Sequence, residues 1–75
     1  MKLSEKQLEY IIYLFKNTDL YDTFPKHNKK FNDKNIDNRD LILEDKIKDL
    51  SALKASEIIS DLLDEDESSL KLLLK

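Results

Sequence analysis

The chain of 75 residues contains no glycine and only one proline, Pro25. A Rossmann turn and a P-loop both need glycine where the backbone approaches phosphate, so both are excluded. Two-residue β-hairpins are disfavoured as well, because their turns favour glycine at positive φ. Asparagine and aspartate must therefore supply the turns, and the sequence favours a helical fold.

The first predicted helix has a complete start signal. Ser4 is placed to cap the helix with its hydroxyl. The Gln7 side chain, three residues later, is placed to accept a hydrogen bond from the backbone N–H of Ser4, which completes a capping box. Leu3 and Leu8 flank this box at the spacing of a hydrophobic staple. We predict that the helix begins at Glu5, and its apolar stripe follows the helical period through Leu8, Ile11, Ile12 and Phe15.

The same helix is predicted to end at about Lys16. Asn17 is the expected stop, because asparagine tolerates the left-handed conformation that glycine usually adopts at a helix end. Tyr10, Tyr13 and Leu14 widen the apolar surface beyond the buried stripe. The two tyrosines are therefore candidates for contact with a partner protein.

Residues 18–37 follow no regular period and predict a long irregular insert between helices one and two, with room for a helical turn at 19–22. Its stretch 26–34 holds four lysines and one aspartate. Lysines contact phosphates and aromatic rings stack on unpaired bases, so this stretch is a candidate nucleic-acid site. The alternative is that Phe24 and Phe31 anchor this part of the chain to the core. The candidate residues are Lys26, Lys29, Lys30, Phe31 and Lys34.

Helices two and three are predicted in the second half of the chain. Helix two is expected to begin after Asn38 or Asp40 and to carry the apolar residues Leu41, Ile42, Ile47 and Leu50. Helix three is expected to run from Ala52 to about Glu65, with Ser51 as its N-cap. Its predicted core side consists of Ala55, Ile58, Ile59, Leu62 and Leu63.

The tail 68–75 is rich in leucine and is predicted to be either a last helix capped by Ser68 or an extension of helix three. Its leucines either complete the monomer core or form a dimer or partner contact, for which Leu72 is a candidate. The chain is thus predicted to be one all-α domain, 1–75, of three or four short helices. It is expected to be a monomer or a homodimer.

No pattern of acid, base and nucleophile indicates an enzyme, and no catalytic residue is predicted. His27, the only histidine, lies between Lys26 and Asn28 and is read as a solvated loop residue. Because cysteine is absent, thiolate metal sites and disulfides are excluded, and no metal or cofactor is predicted. No apolar run approaches the roughly 20 residues of a membrane span, which indicates a cytoplasmic protein without a membrane partner.

Residues 57–67 hold six acidic residues and no basic one. Their spacing is not that of an EF-hand loop, which also needs a glycine. They form either a solvated helix face or an acidic docking surface. The candidate docking residues are Asp61, Asp64, Glu65, Asp66 and Glu67.

The two capped helix starts together resemble a small helical module of phage and low-GC bacterial proteins. The matching residues are Ser4, Gln7, Tyr10, Ile11 and Leu14, followed by Leu50, Ser51, Ala55, Ser56, Ile59 and Leu62. The module occurs at the C-terminal end of phage single-strand annealing and replication-associated proteins, or alone as a domain of unknown function. The resemblance implies a protein-docking role near phage DNA metabolism and carries over no catalytic residue.

Three functions follow as hypotheses. The first is a non-enzymatic module of phage or mobile-element origin that binds a larger, possibly DNA-associated protein and is accessory to DNA replication or recombination. The second is a small phage inhibitor of a host defence or host enzyme, similar to an anti-CRISPR protein, whose acidic helix end occupies a basic nucleic-acid channel. The third is single-stranded nucleic-acid binding through the basic stretch.

Overall fold

The computed structural model describes residues 1–24 and 38–74. Within these ranges the fold is all-α, as predicted, and the helices pack on one core. None of the described helices is long and apolar enough to cross a bilayer. The five described helices are α1 Glu5–Lys16, α2 Asp19–Thr23, α3 Arg39–Ile47, α4 Ala52–Leu63 and α5 Ser68–Leu73.

The start of α1 confirms the predicted capping box. The Ser4 hydroxyl accepts a hydrogen bond from the Gln7 backbone N–H at 3.1 Å, and the Ser4 N–H donates to Gln7 Oε1 at 2.8 Å. Gln7 Nε2 also donates to the Ala52 carbonyl at 3.1 Å, which ties this cap to the start of α4. Asn17 is the C-cap, as predicted, but its φ of −97° is not left-handed, so that part of the prediction is wrong.

The starts of α1 and α4 are joined by their backbones. The Leu3 N–H donates to the Leu50 carbonyl at 3.0 Å, and the Ala52 N–H donates to the Met1 carbonyl at 2.9 Å. The Ser51 hydroxyl caps α4 by accepting from the Lys54 N–H at 3.1 Å, as predicted. The ends of the same two helices line a common cleft, so α1 and α4 run side by side in the same direction.

The core lies between α1, α3, α4 and α5. Its buried cluster consists of Ile11, Phe15, Leu43, Ile47, Ala55, Ile58, Leu62 and Leu70. Two leucines expected on apolar faces are instead exposed, Leu41 by 51% and Leu63 by 57%. The reason is the rotation of each helix about its own axis: α3 turns Leu43 inward, and α4 presents Leu63 at the edge of its contact with α1.

The helix α2 replaces part of the predicted irregular insert, at the place where a helical turn was expected. Its aromatic residues pack on α1: the Phe15 ring makes edge-to-face contacts with Tyr21 and Phe24, at centroid distances of 5.2 and 6.3 Å. The Arg39 guanidinium lies 3.8 Å from the centroid of the Tyr21 ring and donates a hydrogen bond to the Tyr21 carbonyl. Residues 25–37 follow α2 in the sequence and lie outside the described residues.

The turn between α4 and α5 shows that the leucine-rich tail is a separate helix. The Asp66 N–H donates to the Asp61 carbonyl at 2.8 Å, and the Glu65 N–H donates to the Leu62 carbonyl at 3.1 Å. These two bonds form a Schellman motif, which needs a left-handed residue where helices usually have glycine. Because the chain has no glycine, Glu65 occupies that position with a φ of 61°.

The last helix begins at Ser68, but its cap differs from the prediction. Glu67 is the N-cap, and its side chain accepts no capping hydrogen bond from the backbone of α5. Ser68 instead uses its backbone N–H, which donates to Asp66 Oδ1 at 2.9 Å. Leu70 is fully buried while Leu73 and Leu74 pack partly buried against the core, so most of the tail completes the monomer.

We expect Glu65→Gly to stabilise the protein by about 0.5–1 kcal/mol, because glycine adopts positive φ without a steric cost. Urea denaturation followed by circular dichroism would measure the change. Asp64→Gly is the matched control, since Asp64 has a negative φ of −89° and should lose stability on the same substitution. Equal losses in both variants would contradict the strain assigned to Glu65.

Candidate functional site

Three of the five predicted acidic docking residues are held by hydrogen bonds within the fold. Asp61 Oδ2 accepts from the Ser69 hydroxyl at 2.5 Å, and Glu67 Oε1 accepts from the Asp19 N–H at 3.3 Å. Asp66 Oδ1 accepts from the backbone N–H of Ser68, the first residue of α5. These bonds fix the turn between α4 and α5 and join it to the start of α2.

The remaining two acidic residues, Asp64 and Glu65, are exposed. Their side chains make no hydrogen bond or ion pair with the described residues. At Asp66, the backbone and side-chain hydrogen bonds from Ser68 hold the pKa of the carboxyl below its ordinary value. The Asp66 carboxyl is therefore ionised at neutral pH, and the side chains of Asp64 and Glu65 are open to solvent.

A cleft of about 560 Å³ lies between the α1–α2 corner and the α4–α5 turn. Its described lining residues include three leucines, which we call its floor, and three acidic residues, which we call its rim, with no lysine or arginine among them. We call it the acidic cleft, and it is lined by Leu14, Asn17, Thr18, Asp19, Leu62, Leu63, Glu65 and Glu67. Its volume is in the range of protein clefts that bind ligands.

The other predicted partner-binding residues lie elsewhere on the surface. Tyr10 and Tyr13 are exposed on α1, with their rings stacked at a centroid distance of 6.3 Å. Leu72 is exposed on α5. None of these three residues lines the acidic cleft. The structure therefore does not bring the predicted docking residues together into a single surface.

Sequence reasoning predicted two of the eight described lining residues, Glu65 and Glu67, as site residues and missed the other six. Leu63 was expected in the core, while Leu14 and Asp19 were not singled out as site residues. Asp19 meets Glu67 across 48 positions of sequence, so no local pattern could have paired them. The predicted nucleic-acid residues at Lys26, Lys29, Lys30, Phe31 and Lys34 lie outside the described residues, as does His27.

Within 1–24 and 38–74, no group of three or more acidic, histidine or cysteine residues could hold a metal ion. The acidic cleft instead combines exposed apolar area with negative charge. Comparison of the chain with models of known families, with curated proteins and with solved structures gives no match.

Proposed function

We propose that this chain is a non-enzymatic, cytoplasmic protein-interaction module of phage or mobile-element origin that docks onto a larger protein. The observation that carries this proposal is the acidic cleft, where Leu63 is 57% exposed at the junction of three helices. An exposed leucine in a concave site can be covered by a partner, which removes apolar surface from water. The two capped helix starts resemble a module of phage replication-associated proteins. On that resemblance, we propose that the docking serves DNA replication or recombination.

The arrangement of the helices supports this proposal. Both α1 and α4 begin at a serine cap, and backbone hydrogen bonds join the two starts. These contacts hold the two helices parallel. That alignment places the C-terminal ends of both helices at the cleft. Most residues of the resembling pattern therefore act as a scaffold, while Leu14 and Leu62 of the same pattern also line the cleft at the far end of the helices.

Site-specific photo-crosslinking tests the proposal. A benzoylphenylalanine placed at Leu63 should crosslink one protein in an extract of the source cells, and nuclease treatment should not change the yield. The same probe at Leu53 is the matched control, because Leu53 is an equally apolar residue of α4 that is 72% exposed outside the cleft. Equal labelling from both positions, or none from Leu63, would contradict a docking role for the cleft.

A second candidate function is inhibition of a nucleic-acid-binding protein by the acidic turn. The ordered carboxylates favour it, because Asp61, Asp66 and Glu67 are fixed by hydrogen bonds and could present charge at defined positions. The crosslinking experiment separates the two functions. An inhibitor should lose its crosslinked partner when single-stranded DNA is added as a competitor, whereas an accessory module should keep it.

A further inference from the structure

We infer that the acidic cleft binds a basic, amphipathic segment of the partner protein through an arginine side chain that enters the cleft. This inference rests on the proposed function and adds the chemistry of the partner to it. Arginine has an apolar stem and a charged, planar head group. The cleft offers both kinds of contact, because three leucines form its floor and three carboxylates form its rim.

The floor of the cleft fits the stem of such a side chain. Leu62 is buried, and its neighbour Leu63 is exposed. Leu14 of α1 completes the apolar lining from the opposite side. A side chain that covers these leucines would bury apolar surface which is open to water in the free protein.

The rim of the cleft fits the head group. Asp19, Glu65 and Glu67 contribute three carboxylates, and none of the basic residues in 1–24 or 38–74 lines the cleft. The Asp19 backbone N–H donates to Glu67, which joins the two sides of the rim. A guanidinium can donate paired hydrogen bonds to a carboxylate, so arginine should be preferred over lysine here.

Peptide titration followed by nuclear magnetic resonance tests the inference. The probe is an amphipathic helical peptide built from leucine, alanine and arginine. We expect its largest chemical-shift changes at the backbone amides of Leu14, Leu63 and Glu65. A lysine version should bind more weakly, and a scrambled peptide without an apolar face should bind more weakly still.

Two charge variants show whether the cleft itself is responsible. Replacing the rim residues, Asp19→Asn with Glu65→Gln and Glu67→Gln, should weaken binding of the arginine peptide about tenfold. The control variant carries Glu9→Gln, Glu44→Gln and Glu57→Gln, which changes the net charge equally at exposed residues outside the cleft. Its affinity should stay within about twofold of the original.

Equal weakening in both variants would overturn the inference, because binding would then follow net charge alone. Shifts spread over the whole surface would overturn it as well. If the peptide fails to bind while photo-crosslinking from Leu63 still captures a partner, the docking function stands and only the basic chemistry of the partner is wrong. If both experiments fail, the docking function fails with it.

Discussion

Replacing Phe15 by alanine should destabilise the protein by about 3–5 kcal/mol and leave much of it unfolded at 25 °C. Phe15 is fully buried and meets residues of α2, so its removal leaves a cavity at the junction of α1 and α2. A domain of this length has a total stability of only about 4–11 kcal/mol. Loss of near-ultraviolet circular dichroism and a lower urea midpoint would measure the effect.

Two further variants test the same packing if Phe15→Ala does not fold. Phe15→Leu keeps most of the apolar volume and should lose less than half as much stability. Tyr13→Ala removes an aromatic ring from the same helix at a position that is 62% exposed, so it should change the unfolding free energy by about 0.5 kcal/mol or less. Similar losses for Tyr13→Ala and Phe15→Ala would contradict the packing described for α1.

Replacing Arg39 by methionine should destabilise the protein by about 2–3 kcal/mol, although methionine is apolar and of similar length. Residue 25 is proline and has no N–H, so the Tyr21 carbonyl lacks the helical donor it would otherwise have. The Arg39 guanidinium supplies that donor and also lies on the Tyr21 ring. Removing it leaves a partly buried carbonyl without this hydrogen bond.

The other substitutions at this position separate charge from shape. Arg39→Lys keeps the positive charge but lacks the planar head group, so we expect it to recover less than half of the lost stability. Lys46→Met is the matched control on α3, since Lys46 is only half-buried and should tolerate the change. Urea denaturation of all three variants gives the comparison. An unchanged midpoint for Arg39→Met would show that the contact with Tyr21 contributes no net stability.

The helix starts were predictable because their signals are local. Ser4 and Gln7 are three residues apart, and a capping box depends only on that spacing and on the chemistry of the two side chains. The same holds for Ser51 and for the apolar period of α1. The five-residue helix α2 carried a weaker signal, and its apolar residues are fixed by contacts with Phe15 and Arg39 that lie outside it.

The faces of α3 and α4 were harder to predict. Leu41 and Leu43 have the same hydropathy, and the choice between them depends on how α3 is rotated against α1. The left-handed residue was also misplaced, at Asn17 rather than Glu65. Asparagine has a stronger local preference than glutamate for the left-handed conformation. The left-handed residue is nevertheless Glu65, because the chain must reverse between α4 and α5 for Leu70 to pack in the core.

The sequence by itself determined the helical class, the two serine-capped starts and the polarity of the α4 end, because each depends on residues that are neighbours along the chain. Only the tertiary structure decided that α1 and α4 run parallel and that Asp19 and Glu67 share a rim. Such contacts join residues about half the chain apart or more. They follow from the burial of a common core, which no local spacing encodes.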